Sequence, residues 1–589
     1  MEMLENLKVE STKKKIKRRI GKEEWIQRLL IIGMILAFLI MLVLPLLQLF
    51  TQAFYDKDGA FIGVANFSKY FTTPTLVQSL QNTIWISGAT TIIAVTLAFA
   101  YAYAIARTNV FGKRVFQYVA LLPLFAPTMM HGIALTYLFG NQGLVTKGMF
   151  GLFEGIQIPL YGPVGIVMAE VMYTFPQAFL ILLIAFQGSD YRLYEASNML
   201  GASKTKQFLT VTLPSVKYGL ISAMFVVFTL SFTDFGAPKI VGGQYNVLAT
   251  DVYKQVIGQQ NMPMGATVGM ILLIPAIFAF AVDRITQRKQ ANFLSSKAVP
   301  YRITANKKRD VASFIYCSVI TFMIILLFVA VGIAASVKVW PYNMSFTFEH
   351  FNFSSLTGDG LEAFKNSVVV SAVTAVIGAI LTFMFAYAIE KINQLKFFRK
   401  TGYFFSIVPL AIPGLVLGLG YVFFFSQPTI QILGLSVTNP FHSLYGTIAV
   451  LVLVNIIHFY SVTFVTATTA LKKLDREFEL VSQSMGIPFY KTFFRVTVPM
   501  CLPAILEMVM YYFVNSMVTV SAVVFLYAAD FKLAAVSIVN MDDAGNVAPA
   551  AAMSVLIVVT NIVVRVVYEW GTKALRNRTS QWQKDKVKL

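Results

Sequence analysis

Long stretches of apolar residues constrain this 589-residue chain more than any other feature. A bilayer core about 30 Å thick is crossed by roughly 20 apolar residues of α-helix. Such stretches must be helical, because a strand or loop facing lipid leaves backbone groups without hydrogen bonds. Hydropathy predicts spans at residues 29–51, 83–106, 116–139, 162–186, 218–236, 265–283, 312–336, 366–389, 402–426, 444–470, 502–527 and 549–568. The sequence therefore predicts an all-α polytopic membrane protein with about twelve transmembrane helices.

The distribution of Lys and Arg orients these spans. If the N-terminus is cytoplasmic, all but eight of the 48 Lys and Arg residues fall on the cytoplasmic side. The eight in outer loops are Lys57, Lys69, Lys147, Lys239, Lys254, Lys338, Lys365 and Lys532. Because short basic loops stay on the cytoplasmic side, both termini are expected in the cytoplasm of a bacterial plasma membrane. The net charge of +20 is then an orientation signal, and no nucleic-acid partner is expected.

Short sequences recur at a nearly constant spacing. Ala102-Tyr-Ala-Ile recurs as Ala386-Tyr-Ala-Ile, and Pro123-Leu-Phe-Ala-Pro127 recurs as Pro409-Leu-Ala-Ile-Pro413. Each copy carries six predicted spans, an even number, so the two repeats share one orientation in the membrane. The predicted organisation is a basic N-terminal tail (1–28), a first repeat (29–284), a cytoplasmic linker (285–311), a second repeat (312–572) and a basic C-terminal tail (573–589). The linker is expected to be a tether without a fold of its own.

A second motif recurs in the cytoplasmic loop between the fourth and fifth spans of each repeat. The first copy contains Tyr194-Glu195-Ala196-Ser197, then Gly201, Val211 and Leu213-Pro214. The second contains Glu479-Leu480-Val481-Ser482, then Gly486, Val496 and Val498-Pro499. Both copies predict a short helix that ends at a glycine and a second helix that stops before a proline. We call residues 190–214 and 475–499 the first and second coupling loops.

These loops resemble the EAA loop of binding-protein-dependent ABC importers, whose pattern is E-A-A-x3-G-x9-I-x-L-P. The first copy keeps the whole spacing, whereas the second has Leu480 in place of the motif Glu and Glu479 one residue earlier. The resemblance implies the type I importer permease fold, with two ATPase subunits on the loops and a solute-binding protein on the outer face. It implies ATPase-coupling roles for Glu195, Ala196, Ser197, Gly201, Leu213, Pro214, Glu479, Ser482, Gly486, Val498 and Pro499.

The sequence contains no G-x-x-x-x-G-K-[ST] phosphate-binding loop. The chain is therefore not expected to be an enzyme or to hold a cofactor, and ATP and Mg²⁺ are expected on the partner subunits. Its four histidines are scattered, so no metal site is expected. Membrane lipid is the remaining expected partner.

Polar residues inside the spans mark a candidate translocation path. An ionisable group at the bilayer centre costs roughly 2.5–3.5 kcal/mol, so it usually faces a cavity or a partner. Glu170 and Tyr173 are matched in the second repeat by Asn455 and His458, and Asp234 follows the fifth span. These five residues are predicted to line the path. Hydrogen bonding between helices, with no role in transport, is the open alternative.

The solute is predicted from resemblance alone. The chain is similar to fused permeases for ferric iron, 2-aminoethylphosphonate, sulfate and thiamine. The stretch from Ser231 to Gln260 most resembles the 2-aminoethylphosphonate permeases, so that solute is the main expectation and ferric iron the alternative. A secondary transporter with twelve spans in two parallel halves is a less favoured rival, because it has no need of two coupling loops. A membrane enzyme is another rival, although the sequence offers no catalytic constellation.

Overall fold

The computed structural model describes residues 21–151, 154–293, 299–354, 361–432, 435–475, 477–528 and 531–586. Most of the predicted N-terminal tail lies outside these ranges. The helices of the first half are α1 (Lys22–Phe38), α2 (Leu44–Gln52), α3 (Ala65–Thr72), α4 (Pro74–Arg107), α5 (Lys113–Ala120), α6 (Thr128–Phe139), α7 (Gly148–Gly151), α8 (Pro163–Gln187), α9 (Tyr191–Met199), α10 (Lys204–Gln207), α11 (Leu213–Thr233), α12 (Gly236–Val241), α13 (Leu248–Tyr253) and α14 (Met262–Phe293).

The second half repeats this order of elements. Its helices are α15 (Lys307–Ser336), α16 (Glu362–Glu390), α17 (Lys396–Ile407), α18 (Gly414–Phe425), α19 (Ile448–Lys473), α20 (Glu477–Ser484), α21 (Phe489–Thr492), α22 (Val498–Val518), α23 (Ala534–Asp543) and α24 (Val547–Lys586). Two antiparallel hairpins lie between spans, one pairing β1 (Val337–Val339) with β2 (Asn343–Phe346) and one pairing β3 (Thr429–Ile432) with β4 (Leu435–Thr438). The protein is thus an all-α membrane protein built from two parallel repeats, as predicted.

Two of the predicted spans are broken. Within the described ranges, ten helical stretches are long and apolar enough to cross a membrane, and two bent helix pairs would bring the number to twelve. The bends measure 104° between Lys113–Phe125 and Thr128–Phe139, and 113° between Lys396–Ala411 and Gly414–Phe425. The predicted spans at 116–139 and 402–426 are therefore each interrupted by a bend instead of forming one straight helix.

Repeated prolines explain both bends. Proline disfavours the helical conformation of the residue before it, and Ala126 and Ile412, which precede Pro127 and Pro413, are extended. A new helix then starts directly after each proline. The repeated Pro-x-x-x-Pro sequence therefore encodes a break in the span.

The first helix of each repeat packs on the other repeat. Phe38 of α1 lies edge-on to Tyr460 of α19, with ring centroids 5.0 Å apart. Conversely, the Tyr316 hydroxyl of α15 donates to the Leu97 carbonyl of α4 at 2.9 Å. This exchange of first helices joins the two repeats into one packed unit.

The linker is more ordered than a tether. Helix α14 continues to Phe293 and α15 begins at Lys307, so much of the predicted linker extends the flanking helices. Residues 294–298 lie outside the described part of the chain. The linker backbone at Val299 forms hydrogen bonds with Asp190 and Tyr191 of the first coupling loop.

Close packing in the second repeat can be tested at Gly418 of α18. A Cβ placed there would lie 2.5 Å from the Ala522 carbonyl oxygen, which belongs to the backbone and cannot turn away. We expect Gly418→Ala to destabilise the protein by about 1–3 kcal/mol through overpacking. Gly332→Ala is the matched control, because nothing lies within 4 Å of its Cβ position. Thermal unfolding of the detergent-solubilised variants checks this, and equal melting temperatures would contradict it.

Candidate functional site

The first coupling loop is a short helix followed by a glycine turn. Asp190 caps α9 by accepting a hydrogen bond from the Arg192 amide at 3.1 Å. The helix ends at Gly201, which adopts a left-handed φ of 69°. The Ala202 amide donates to the Ser197 carbonyl at 3.1 Å, which closes a Schellman turn.

The second coupling loop has the same backbone. Asp475 accepts from the Glu477 amide at 3.3 Å, and Gly486 has a φ of 65°. The Ile487 amide donates to the Ser482 carbonyl at 2.9 Å, as in the first copy. All of these positions are offset by 285 residues from their partners, so the predicted equivalence of the two loops holds in three dimensions.

The second helix of each loop does not stop before its proline. Residues Lys204–Thr233 form one helical stretch, as do Phe489–Val518. Each contains a π-helical turn, at Phe208–Thr212 and Phe493–Thr497, directly before Leu213-Pro214 and Val498-Pro499. A wider turn accommodates the missing proline N–H and relieves its clash with the preceding turn. The prediction of a helix stop is therefore wrong, and each loop continues rigidly into the fifth span of its repeat.

The turns of both loops expose apolar side chains. Met199 is 90% exposed and Leu200 is 86% exposed, and in the second loop Met485 is 69% exposed. Glu195, Ala196, Pro214 and Pro499 are also exposed, Leu213, Ser482 and Val498 are half-buried, and Ser197 is buried. Large exposed apolar side chains in such a turn are typical of a contact surface.

A buried arginine anchors the first loop. Arg107, at the inner end of α4, is 2% exposed and donates to the Phe186 carbonyl at 2.8 Å and to the Ser189 hydroxyl. Its guanidinium lies 5.4 Å from the ring centroid of Tyr194 in α9. Arg107 therefore joins the second span to the end of the fourth span and to the coupling helix.

Lys391 occupies the equivalent position in the second repeat. Its ammonium lies 3.1 Å from the Glu479 carboxylate and donates to the Leu474 carbonyl at 3.3 Å. Glu479 thus faces inward, where Tyr194 lies in the first loop, and it does not replace the missing motif acid. Leu480, at the motif position, is 59% exposed.

Three of the predicted path residues line one cavity between the repeats. The cavity has a volume of about 110 Å³, and Tyr173, Asp234 and His458 contribute to its walls. The other lining residues are Leu124, Ala126, Thr128, Gln177, Gly236, Phe459, Asn515, Val518, Thr519, Val520 and Ser521. None of the lining residues is Lys or Arg, and Asp234 is the one acidic side chain among the polar and apolar groups of the walls.

Glu170 and Asn455 lie behind this cavity. Both are fully buried one helical turn from Tyr173 and His458, and they do not line the cavity. The Glu170 carboxyl is close to that of Asp234. Among the described residues, the Asn455 amide has no hydrogen-bond partner, and no group of three His, Cys, Asp or Glu side chains is arranged to hold a metal ion.

An ion pair joins the repeats on the side opposite the coupling loops. The Lys239 ammonium of α12 lies 2.6 Å from the Asp543 carboxylate of α23. Burial raises the pKa of the adjacent Asp542 to about 6, and the Asp543 charge adds to the shift. The contact between α12 and α23 therefore depends on the charges of Lys239, Asp542 and Asp543.

Sequence comparison decides the family. The profile of the binding-protein-dependent transport system inner membrane component matches residues 98–292 and 378–577. The chain belongs to this family. The matched ranges cover the coupling loop and cavity-lining helices of both repeats, so this ABC importer permease carries the family's domain twice.

Two relatives match this permease across both repeats. The ferric transport system permease protein of Actinobacillus pleuropneumoniae is 26% identical over 565 residues, which cover 94% of this chain and 79% of the relative. The Fe(3+)-transport system permease protein of Haemophilus influenzae is 23% identical over 487 residues, which cover 81% and 86%. A crystal structure of a bacterial ABC transporter involved in alginate import covers 45% of this permease and 96% of its own chain, at 18% identity and a TM-score of 0.39.

Sequence reasoning missed the two anchoring cations. Arg107 and Lys391 follow the repeated Ala-Tyr-Ala-Ile sequence at the same distance in both halves, and that repeat spacing was the available signal. It also missed Gln177 and Asn515, which line the cavity. Neither amide has a distinctive sequence context.

The glycine turns give a test of the coupling loops. A non-glycine residue in the left-handed region costs about 1–2 kcal/mol, which corresponds to roughly a tenfold shift in an equilibrium. We expect Gly201→Val to lower transport-linked ATP hydrolysis at least about tenfold without removing the protein from the membrane. Gly486→Val is expected to have a smaller effect, because its loop lacks the motif acid.

Gly201→Asn and Gly486→Asn are the matched controls. Asparagine tolerates left-handed backbone, and no atom lies within 4 Å of either Cβ position. ATPase assays on the assembled complex measure the effect. Wild-type activity in both valine variants would defeat the assignment.

The half-buried carboxyl of Asp542 predicts a pH effect on stability. Its folded-state pKa of about 6 exceeds the ordinary value of 3.8, so the folded state favours the protonated form. Stability is therefore expected to fall as the pH rises from about 4 through 6. Asp542→Asn should remove part of this loss, whereas the exposed Asp58→Asn on the same side should not. Melting temperatures across this pH range measure it, and parallel curves for Asp542→Asn and wild type would refute it.

Proposed function

We propose that this permease is the membrane subunit of an ATP-driven importer of ferric iron. The two similar permeases described above both carry ferric iron in their names. These comparisons favour the ferric alternative over 2-aminoethylphosphonate, which was the main expectation from sequence. The cavity between the repeats supports the same choice.

The lining of that cavity is the observation that carries the proposal. It combines a carboxyl (Asp234), a phenol (Tyr173) and an imidazole (His458), and all three types of group ligate iron in proteins. No lining residue is a cation that would pair with a phosphonate. The second carboxyl, Glu170, lies close to that of Asp234 behind the cavity wall.

The cavity is a space of about 110 Å³ between the repeats. Asp234 and Tyr173 come from the first repeat and His458 from the second. Among the described residues they do not form a closed metal site. This arrangement suits an ion that passes through better than an ion that stays bound.

We further propose that two ATPase subunits dock on the coupling loops. The exposed Met199, Leu200 and Met485 side chains supply the apolar contact, and the rigid continuation of each loop into a span supplies the lever. A solute-binding protein would deliver iron on the opposite face, near Lys239 and Asp543. Membership of this family leaves the rival of an ion-driven secondary transporter without support.

Uptake by the reconstituted complex tests this function. Proteoliposomes with the permease, its ATPase and its solute-binding protein are expected to accumulate radioactive ferric iron only when ATP is supplied. Uptake of 2-aminoethylphosphonate in place of iron would overturn the choice of solute. Uptake driven by an ion gradient without ATP would overturn the choice of mechanism.

Asp234 is the cavity residue whose substitution is most informative. Asp234→Asn removes the charge but keeps the oxygen that accepts from the Ala237 amide at 2.9 Å, so the turn is preserved. We expect ferric uptake to fall at least about tenfold, the effect of losing 1.4 kcal/mol of ion stabilisation, while basal ATP hydrolysis is unchanged. Asp283→Asn, a buried carboxyl away from the cavity, is the control. Equal uptake by both variants would contradict the proposed path.

A further inference from the structure

The end of the linker lies across the first coupling loop. The Tyr191 amide donates to the Val299 carbonyl at 2.9 Å, and the Val299 amide donates to the Asp190 carboxylate at 3.2 Å. Asp190 is also the cap of α9, so one carboxylate holds both the coupling helix and the linker. We call residues Val299–Tyr301 the strap.

The strap completes an aromatic enclosure around Arg107. The Tyr301 ring centroid lies 4.0 Å from the guanidinium carbon, closer than the rings of Tyr194 or Phe186. Tyr301 also packs edge-on against Tyr194, with centroids 4.9 Å apart. No carboxylate pairs with Arg107 among the described residues, so this buried cation depends on ring faces and on the Phe186 and Ser189 oxygens. A desolvated cation gains most from such ring contacts.

The other end of the segment is fixed as well. Arg309, in the first turn of α15, donates to the Thr304 carbonyl at 2.6 Å. The Asp310 carboxylate accepts from the Asn109 amide at 3.1 Å, just beyond Arg107. The chain from the strap to α15 is therefore attached to the first repeat at both ends.

The second coupling loop has no described counterpart of the strap. There Lys391 pairs with Glu479, so its charge is compensated within the repeat. A cavity of about 50 Å³ beside this loop is lined in part by Tyr387, Lys391 and Glu479. The two loops are therefore anchored by different means, one by an internal ion pair and one by a segment that belongs to the linker.

We propose that the strap is a positioning element of the first coupling loop. Tyr301 holds α9 in position against Arg107. The backbone of the strap joins α9 to α15, the first span of the second repeat. A displacement of the first loop is thereby passed to both repeats at once. This inference rests on the proposed coupling role of the loops and adds a residue and a connection that the loop motif does not contain.

Substitution of Tyr301 tests the seating. We expect Tyr301→Ala to lower ATP hydrolysis stimulated by the loaded solute-binding protein about thirtyfold, in line with the loss of a desolvated cation–π contact. Basal hydrolysis and membrane insertion should be unchanged. Tyr301→Phe keeps the ring and should restore stimulation. Tyr118→Ala, an exposed tyrosine of α5, is the control.

The ratio of stimulated to basal hydrolysis separates positioning from simple stability. Wild-type stimulation in Tyr301→Ala, or equal loss in Tyr301→Ala and Tyr301→Phe, would overturn the seating role. If the wild-type complex itself shows no stimulation, the proposed function fails instead. The two failures are thus distinguished by the wild-type measurement.

Cleavage at two positions tests the connection to α15. A protease site placed within residues 294–298 leaves the strap attached to α15, whereas a site between Tyr301 and Lys307 separates them. The same purified complex is assayed before and after cutting. Stimulation is expected to survive the first cut and to fall severalfold after the second. Equal stimulation after both cuts, or loss after the first alone, would overturn the connection.

Discussion

Backbone hydrogen bonding inside the membrane is the constraint on which this structure depends. A helix can break at membrane depth only where protein covers the freed groups. At the first break the Asn561 side chain of α24 donates to the Phe125 carbonyl at 3.0 Å, and at the second the Ser461 hydroxyl accepts from the Leu410 amide at 3.1 Å. The breaks are therefore confined to the middle of the molecule. The first of them contributes directly to the polar cavity, because the chain there cannot face lipid.

The two repeats share a backbone but differ in the chemistry that holds it. Both coupling loops have an aspartate cap, a glycine turn and a π-helical turn in register. Their anchoring cations differ, as Arg107 is enclosed by rings and Lys391 is paired with Glu479. A duplicated motif can keep its geometry while its supporting contacts diverge, since several interactions stabilise the same arrangement. At the motif position the second loop has Leu480, and the neighbouring Glu479 pairs with Lys391.

The sequence predicts features that depend on local pattern and misses those that depend on contacts between distant segments. Apolar length predicts the spans, and the glycine and proline spacing predicts both loops and their equivalence. The bends at Pro127 and Pro413 were encoded in a repeated motif, but a 20-residue hydropathy window averages over them. The exchange of first helices and the strap at Tyr301 join residues far apart in the chain. The periodicity of the sequence does not indicate such contacts. Tyr173, Asp234 and His458 were predictable as polar residues in apolar surroundings, whereas the positions of Glu170 and Asn455 behind the cavity were not.

The exchange of first helices has a consequence for biogenesis. Ribosomal synthesis delivers the first repeat to the membrane before α15 exists, so the face of α4 that receives Tyr316 first meets lipid. The Phe125 carbonyl likewise gains its hydrogen bond only from Asn561, which is 436 residues later in the chain. The packing of the first repeat is therefore complete only once α24 has been synthesised.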